Sequence, residues 1–312
     1  MKVRTFWGSI LIIILSYIGN YLFFESKQLA APLFLDHYYE TSINIEGDNH
    51  LPFYYLANKS DFSTVSHVDI NGETFYPLST QYFNMWDTNT PQYEQEFTHH
   101  YLKAVTLSIP SVNIQDNIPF EFSNMIVHFS DGKTIQADIG NVILHKSNPK
   151  PQVLETRYSG SSNQHRETKS FITLQPITIE DITVPFPEEI ADEVLVKVDL
   201  NQERLSELEE LMTGAEPPNW LTEGRDKKWS SLPGVLIHDE LFPFSLKQSE
   251  WILLLMKYNP TRNSYFTFSV KIIGKTESGE PFILEAPISD APSLDQKKIN
   301  NIIKTKKSGE NE

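Results

Sequence analysis

The chain has 312 residues, with 26 lysines and arginines against 41 aspartates and glutamates, and it contains no cysteine. Without cysteine there is no disulfide framework, no thiol nucleophile and no cysteine-ligated zinc or iron–sulfur site. The formal net charge of -15 argues against a nucleic acid as partner, because phosphate binding needs a basic surface. With 39% hydrophobic residues the chain can build a core, and its length suggests about two domains.

The N-terminal region contains a long apolar stretch. Residues 6–24 read FWGSILIIILSYIGNYLFF and carry no charge. As a helix they would extend about 28 Å, close to the roughly 30 Å hydrocarbon core of a bilayer. Lys2 and Arg4 precede the stretch, and positive charge favours the cytoplasmic side. We therefore predict a cytoplasmic stub at residues 1–5, a transmembrane signal anchor at residues 6–24, and the bulk of the chain outside the cell membrane.

A cleaved signal peptide is the alternative interpretation of the same stretch. Its apolar region is normally about 7–15 residues long and is followed by small residues at the cleavage site. Here the apolar region is longer, and the residues two before Ala30 and Ala31 are the large Gln28 and Leu29. These features favour an uncleaved anchor. An exported chain without cysteine is typical of a bacterial envelope.

Beyond the anchor, the pattern is typical of short strands joined by tight turns. Three hairpins are predicted: residues 65–76 around Asn71-Gly72, residues 120–139 around Asp131-Gly132, and residues 265–288 around Ser278-Gly279. Regularly spaced short strands predict a mainly β protein with antiparallel β-sandwich-like (Ig-like) domains. One or two short amphipathic helices accompany them.

A polar, proline-containing region divides the exported part. We predict a first β domain at residues 35–150, a linker or surface loop at residues 151–170, and a second β domain at residues 171–292. A continuous single unit is the alternative, because a polar stretch can also be a surface loop.

Two helices are predicted in the second half. Leucines at three- and four-residue spacing, followed by Gly214, predict a helix at residues 202–213. The segment Ser293-Leu294-Asp295-Gln296 resembles a capping box. It predicts a short helix within residues 293–312, followed by a disordered basic tail from Lys304 to Glu312.

No recognisable catalytic motif occurs, so whether the chain is an enzyme stays open and a non-catalytic role is favoured. The nine histidines do not have metal-ligand spacing on one element, and adjacent His99 and His100 would point to opposite faces of a strand. The denser segment His238-Asp239-Glu240 would need further ligands from elsewhere. The turn Asp69-Ile70-Asn71-Gly72 lacks the calcium-loop pattern. We predict no catalytic residue, no cofactor and no metal site.

Aromatic residues in loops are the candidates for a contact surface. Tyr82, Phe83 and Trp86 lie in a turn-rich stretch, and Trp220 and Trp229 lie in a long loop. Such residues can stack on sugar rings or contact a protein. The alternative is that they pack on their own sheets, as most aromatic residues do.

Together these features predict a single-pass, membrane-anchored extracytoplasmic protein of a bacterial envelope, acting as a non-catalytic binding or assembly module. The expected partners are the membrane and either a protein or an envelope polymer, with no nucleic acid. The alternatives are a hydrolase of cell-wall or other extracellular polymer, and an accessory subunit of a membrane complex.

Overall fold

A computed structural model describes residues 3–43, 49–78, 93–110, 118–146, 152–213, 216–224 and 227–309. The protein is mainly β, with 49% strand and 21% helix, as the sequence predicts. Its strands form sheets of four, five and nine strands that are partly antiparallel and partly mixed.

The N-terminal helix α1 (Val3–Lys27) stands apart from the β sheets. Within the described residues, its segment Phe6–Lys27 is the one helix long and apolar enough to cross a membrane, and none of it is buried. At its base, Asn58 and Leu29 form two reciprocal hydrogen bonds of 2.8 Å. The His100 ring contacts the Lys27 carbonyl at 3.0 Å. The helix is therefore attached to the β region at one end, through backbone atoms.

The largest sheet has nine strands and extends through both halves of the chain. In chain order they are β2 (His37–Ile43), β4 (Val65–Ile70), β5 (Glu73–Phe75), β8 (Phe120–Phe129), β9 (Thr134–Lys146), β12 (Ile177–Thr183), β15 (Phe244–Leu246), β17 (Tyr265–Thr276) and β18 (Pro281–Asp290). The spatial order is β15-β12-β17-β2-β9-β8-β4-β5, with β18 paired to β17. Strand β2 is parallel to both of its neighbours, β9 and β17, and the other pairs are antiparallel.

Two smaller sheets complete the β region. The four-stranded sheet contains β1 (Leu33–Phe34), β3 (Asn49–Asn58), β6 (Gln95–Glu96) and β7 (His100–Ile109). The five-stranded sheet contains β10 (Leu154–Ser162), β11 (Arg166–Thr173), β13 (Val194–Asp199), β14 (Val235–Leu236) and β16 (Trp251–Tyr258).

The two smaller sheets pack on opposite faces of the large one, and β2 contributes to both cores. His37 is buried, and Tyr39 on the same face of β2 joins the core formed with the four-stranded sheet. Tyr38, on the other face, packs against the core formed with the five-stranded sheet. Because successive side chains of a strand point to opposite faces, one strand can serve two cores.

A third apolar cluster lies on the outer face of the five-stranded sheet. Strand β16 reads WILLLMKY, and its odd-numbered residues Trp251, Leu253 and Leu255 are buried against the 200–232 region. Its even-numbered residues Ile252 and Leu254 face the nine-stranded sheet. A continuous apolar run is what a strand covered on both faces requires.

The helices of this region are short. Helix α2 (Pro187–Ile190) precedes β13, and α3 (Gln202–Leu205) continues as a 3-10 helix over Ser206–Thr213. Helix α4 (Asn219–Gly224) and a 3-10 turn (Trp229–Ser231) follow. The helix predicted at residues 202–213 thus exists, but only its first turn is α-helical.

The prediction of a linker or surface loop at residues 151–170 is wrong for most of this range. Strand β10 and the beginning of β11 occupy it and pair with each other as a hairpin. The sequence is polar because much of β10 is exposed at the edge of the five-stranded sheet. Surface polarity and strand pairing are compatible in an edge strand.

The prediction for residues 293–312 also needs correction. Helix α5 (Gln296–Gly309) continues well past Lys304, where the tail was predicted to begin. Its cap is Asp295, which accepts a 2.7 Å hydrogen bond from the Lys298 backbone, and not Ser293. Ile299 and Ile302 are buried in the core of the first half, so the helix returns across the molecule. Residues 310–312 lie outside the described residues.

Gly140 contacts the backbone of β2, and we expect Gly140→Ala to destabilise the fold strongly. Gly140 has φ +87, and an added Cβ would lie 2.6 Å from the His37 carbonyl oxygen. Gly132→Ala is the matched control, because Gly132 has φ +86 and nothing within 4 Å of such a Cβ. The control should lose about 1–2 kcal/mol of unfolding free energy because of its positive φ alone. Gly140→Ala should lose clearly more, because it adds the contact with β2. Equal losses in urea unfolding would contradict the contact.

The stability of the fold should depend on pH through His37. Burial lowers the pKa of His37 to about 3, and its ring nitrogens contact Ile139 O at 3.2 Å and Tyr54 N at 2.9 Å. Between pH 6.5 and about 3 the unfolded chain therefore binds a proton that the folded chain does not. This group costs about 1.4 kcal/mol of unfolding free energy per pH unit as pH falls through that window.

The variant His37→Gln should have a shallower loss of stability below pH 6.5 than the parent protein. The control His238→Gln changes an exposed histidine and should keep the parent slope. Urea unfolding at several pH values measures both slopes. Identical slopes in His37→Gln and the parent would show that His37 does not titrate in this way.

Candidate functional site

Two of the predicted contact residues lie together on the outer face of the five-stranded sheet. Trp220 on α4 and Trp229 on the following 3-10 turn are both partly buried against the third apolar cluster. We call residues 216–224 and 227–232 the tryptophan loop. The other predicted contact residues, Tyr82, Phe83 and Trp86, lie outside the described residues.

Side chains of the sheet and the preceding helix hold the tryptophan loop in place. The ammonium of Lys197 on β13 donates to the carbonyls of Trp229 (3.1 Å) and Leu232 (2.9 Å) and lies 5.3 Å from the Trp229 ring centre. The guanidinium of Arg166 on β11 donates to the Lys227 carbonyl at 2.7 Å. Lys197 is 8% exposed, so these bonds form in a largely dry environment where they count for more than at the surface.

The Trp220 ring is oriented by two polar contacts. Its Nε1 donates to Glu207 Oε2 at 3.0 Å, and the Arg204 guanidinium lies 5.3 Å from the ring centre. Arg204 is also ion-paired with Asp199. A fixed, partly exposed indole is typical of a residue that contacts a ligand or a partner.

A narrow cavity lies between the tryptophan loop and the sheet. Its volume is about 50 Å³, enough for a few water molecules and far below the roughly 300 Å³ of ordinary ligand pockets. A ring-sized ligand would therefore require the loop to move away from the sheet. The cavity is lined, among others, by Tyr158, Arg166, Trp220, Leu221, Trp229, Leu253 and Leu255.

Three polar residues form a second arrangement between β11 and the start of α5. His165 Nδ1 lies 2.8 Å from Asp290 Oδ2, and His165 Nε2 lies 3.0 Å from Ser293 Oγ. With Nδ1 protonated, the imidazole donates to the carboxylate and accepts from the serine hydroxyl. Arg262, whose side chain is fully buried, also pairs with Asp290. The order serine–histidine–aspartate is that of a hydrolase triad, which is recognised by geometry and not by sequence position.

The backbone around this triad is partly strained. His165 has φ 55, an uncommon value for a residue that is not glycine. Ser293 is exposed, and it precedes the first turn of α5. His165, Asp290 and Ser293 do not line the cavity beside the tryptophan loop or the groove beside the base of α1. The arrangement supplies a nucleophile and a base, with the serine at an exposed position of the chain.

A third arrangement consists of His67, Asp69 and His128, on the face of β4 and β8 that points away from the four-stranded sheet. One ligand atom from each lies within 4.8 Å of the others. His128 Nε2 is 3.0 Å from Asp69 Oδ2, and the rings of His67 and His128 are stacked with centres 4.2 Å apart. A hydrogen bond from Thr74 lowers the pKa of Asp69, and one from His128 acts in the same direction. The sequence prediction of no metal-ligand cluster overlooked this grouping.

The signal for that grouping was present but incomplete. His67 and Asp69 are two residues apart on a predicted strand, so they share a face. His128 becomes their neighbour through the pairing of β4 with β8, where His67 lies opposite His128. The sequence predicted both strands but not that they pair with each other. The exposed His238, Asp239 and Glu240, by contrast, follow β14 in a turn.

An open groove lies beside the base of α1. Its volume is about 560 Å³, and it is lined by polar residues of two turns, including Asn58, Asp61, Ser130, Asp131 and Lys133, together with Phe62. The Phe62 side chain is 86% exposed. Phe62 therefore lies near the end of the apolar helix, with most of its ring in contact with solvent and not buried in a core.

In comparisons with known proteins, no family model matches this chain and no curated protein matches its sequence.

Proposed function

We propose that this protein is a single-pass, membrane-anchored extracytoplasmic module of a bacterial envelope that binds or assembles with a partner. The observation that carries the proposal is the geometry of α1. The helix is apolar, unburied along its candidate span and fixed to the β region through Leu29, Asn58 and His100. A helix exposed on all sides is expected to find an apolar environment, since water is an unfavourable one.

The attachment of α1 would hold the β region directly at the membrane surface. The helix ends at Lys27, and Leu29 is already buried in the core formed with the four-stranded sheet. Phe62 beside that point would reach the lipid headgroups, where aromatic residues are favoured. Lys2 and Arg4 support a cytoplasmic N-terminus with residues from about 25 onward outside. An Ig-like sandwich, as predicted from the sequence, would account for the facing sheets and antiparallel hairpins. It would not account for the two parallel pairings of β2.

The tryptophan loop is the proposed contact surface. It combines two partly exposed indoles with the basic residues Lys227 and Lys228 and an underlying cavity. The hydrogen bonds from Lys197 and Arg166 that hold it in place are ones that a partner could replace. Aromatic anchors of this kind dominate binding energy in many interfaces. A protein partner or an envelope polymer would fit this chemistry. The net negative charge of the chain disfavours a nucleic acid.

Introduced cysteines test both parts of the proposal, because the chain has none of its own. Ser230→Cys in the tryptophan loop should react with a membrane-impermeant maleimide in intact cells, whereas Lys2→Cys should react only after permeabilisation. A photo-crosslinker attached at Ser230→Cys should then capture a partner. Adding Trp229→Ala should reduce that capture at least tenfold, since truncating an aromatic anchor costs about 2 kcal/mol or more.

Ser278→Cys is the matched control, at an exposed turn between β17 and β18. It should be labelled from outside but should capture nothing. Labelling of Ser230→Cys only after permeabilisation would contradict the topology. Equal capture from both positions, or capture indifferent to Trp229→Ala, would contradict the contact surface.

A hydrolase of extracellular polymer is the second candidate, and the triad of Ser293, His165 and Asp290 is the observation that favours it. In such a step Ser293 Oγ would attack an acyl carbon and pass its proton to His165 Nε2. The leaving group would take that proton, and water would then release the acyl group from the serine. Asp290, ionised and paired with Arg262, would orient the imidazole.

A fluorophosphonate probe tests this candidate, because it reacts covalently with activated serines. The parent chain should be labelled, and Ser293→Ala and His165→Gln should lower labelling at least a hundredfold, in line with the loss of a base or nucleophile. Ser278→Ala is the control and should be labelled like the parent. Absence of labelling in the parent chain would exclude a serine hydrolase acting through this triad.

A further inference from the structure

We propose that His67, Asp69 and His128 form a binding site for a divalent first-row transition metal of the zinc class, on the face of β4 and β8 that points away from the four-stranded sheet. The proposal goes beyond the binding module described above and involves none of the tryptophan loop. Two imidazole nitrogens and one carboxylate oxygen are a familiar three-ligand set for zinc, with a fourth position left for water or a partner's donor.

The backbone places the three side chains rigidly. His67 and Asp69 alternate with Val68 and Ile70, which are buried in the core formed with the four-stranded sheet. On β8, His128 lies between the buried Val127 and Phe129. A register shift between β4 and β8 sets His67 directly opposite His128. Such bulges re-aim side chains, and they are common near functional sites.

Neighbouring hydroxyls support two of the three ligands. Thr74 donates to Asp69 Oδ1 at 2.6 Å, which leaves Oδ2 facing His128. Thr134 Oγ1 lies 3.1 Å from His128 Nδ1, on the side of the ring away from Asp69. With a metal at Nε2, the Nδ1–H would donate to this hydroxyl. Outer hydrogen bonds of this kind orient ligands in most histidine metal sites.

The distances require a modest rearrangement. Ligand atoms around a tetrahedral zinc ion are about 3.3 Å apart, given metal–ligand distances of about 2.0–2.1 Å. The pair Asp69 Oδ2 and His128 Nε2, at 3.0 Å, is already close to that spacing. The rings of His67 and His128 are nearly parallel, with 9° between their planes, so both lone pairs cannot point at one ion. Rotation of the His67 ring is therefore needed, and this side chain is only partly buried.

The donor set also selects the class of metal. Calcium and magnesium prefer oxygen ligands throughout, so two imidazoles disfavour them. The site contains no cysteine, which excludes thiolate-dependent metals. The His128 and Asp69 side chains are 28% and 31% exposed, so an ion can enter from solvent without opening the fold.

Zinc titration of the full chain in detergent, purified without a histidine tag, tests the proposal. Isothermal calorimetry should show binding of one Zn²⁺ whose affinity falls about a hundredfold or more in His67→Gln, Asp69→Asn and His128→Gln. Thr74→Val should weaken binding about tenfold, because it removes an outer hydrogen bond only. Zinc should also raise the unfolding temperature of the parent chain and not of the three ligand variants.

Two histidine variants serve as controls. His238→Gln removes an exposed histidine, and His145→Gln removes one that pairs with Glu40 at 2.8 Å. Both should bind zinc like the parent. No zinc binding by the parent, or affinity unchanged in all three ligand variants, would overturn the proposal. Loss of binding in His145→Gln would place the site at Glu40 instead and would also overturn it. Circular dichroism of each variant confirms that the fold is intact.

Discussion

The position of β2 between β9 and β17 is the constraint on which the rest of the structure depends. This strand joins the sheet of the first half to that of the second by two parallel pairings. Parallel neighbours cannot be connected by a hairpin, so each pairing brings together distant parts of the chain. Its side chains supply both cores, and Gly140 lies close against its backbone. Removing β2 would leave two sheet fragments with open edges.

The centre of this arrangement is a neutral, buried histidine. His37 is 0% exposed, and its two nitrogens bridge β9 and β3 through Ile139 and Tyr54. Tyr54 and Tyr265 stack on each other with ring centres 4.0 Å apart beside it. Because a buried polar group must be hydrogen-bonded, the imidazole fixes the relative positions of three strands. Strand β2 follows closely after α1 in the chain, so the apolar helix is joined to the central strand by a short segment.

The candidate sites all lie on the outside of this scaffold, where the sheets leave faces uncovered. The tryptophan loop covers the outer face of the five-stranded sheet, the histidine–aspartate cluster lies on a face of the nine-stranded sheet, and the triad lies where α5 begins. Each site combines residues from elements distant in sequence, so rigid pairing beneath it determines its geometry. Buried apolar residues alternate with the ligands on β4 and β8, which is how a sheet keeps surface side chains in register.

Local patterns in the sequence determined the elements of this protein, and tertiary pairing decided its sites. The apolar run before residue 25 and the Asn71-Gly72 and Asp131-Gly132 turns were sufficient to predict an apolar helix and hairpins, because turn chemistry and periodicity act over a few residues. The polar strand β10 was missed because edge strands need not be apolar. The meeting of His67 with His128, and of His165 with Ser293, depends on which strands pair and where a helix returns. The pairing of strands and the position of the returning helix depend on how much apolar surface the whole chain buries. No local sequence pattern contains that information.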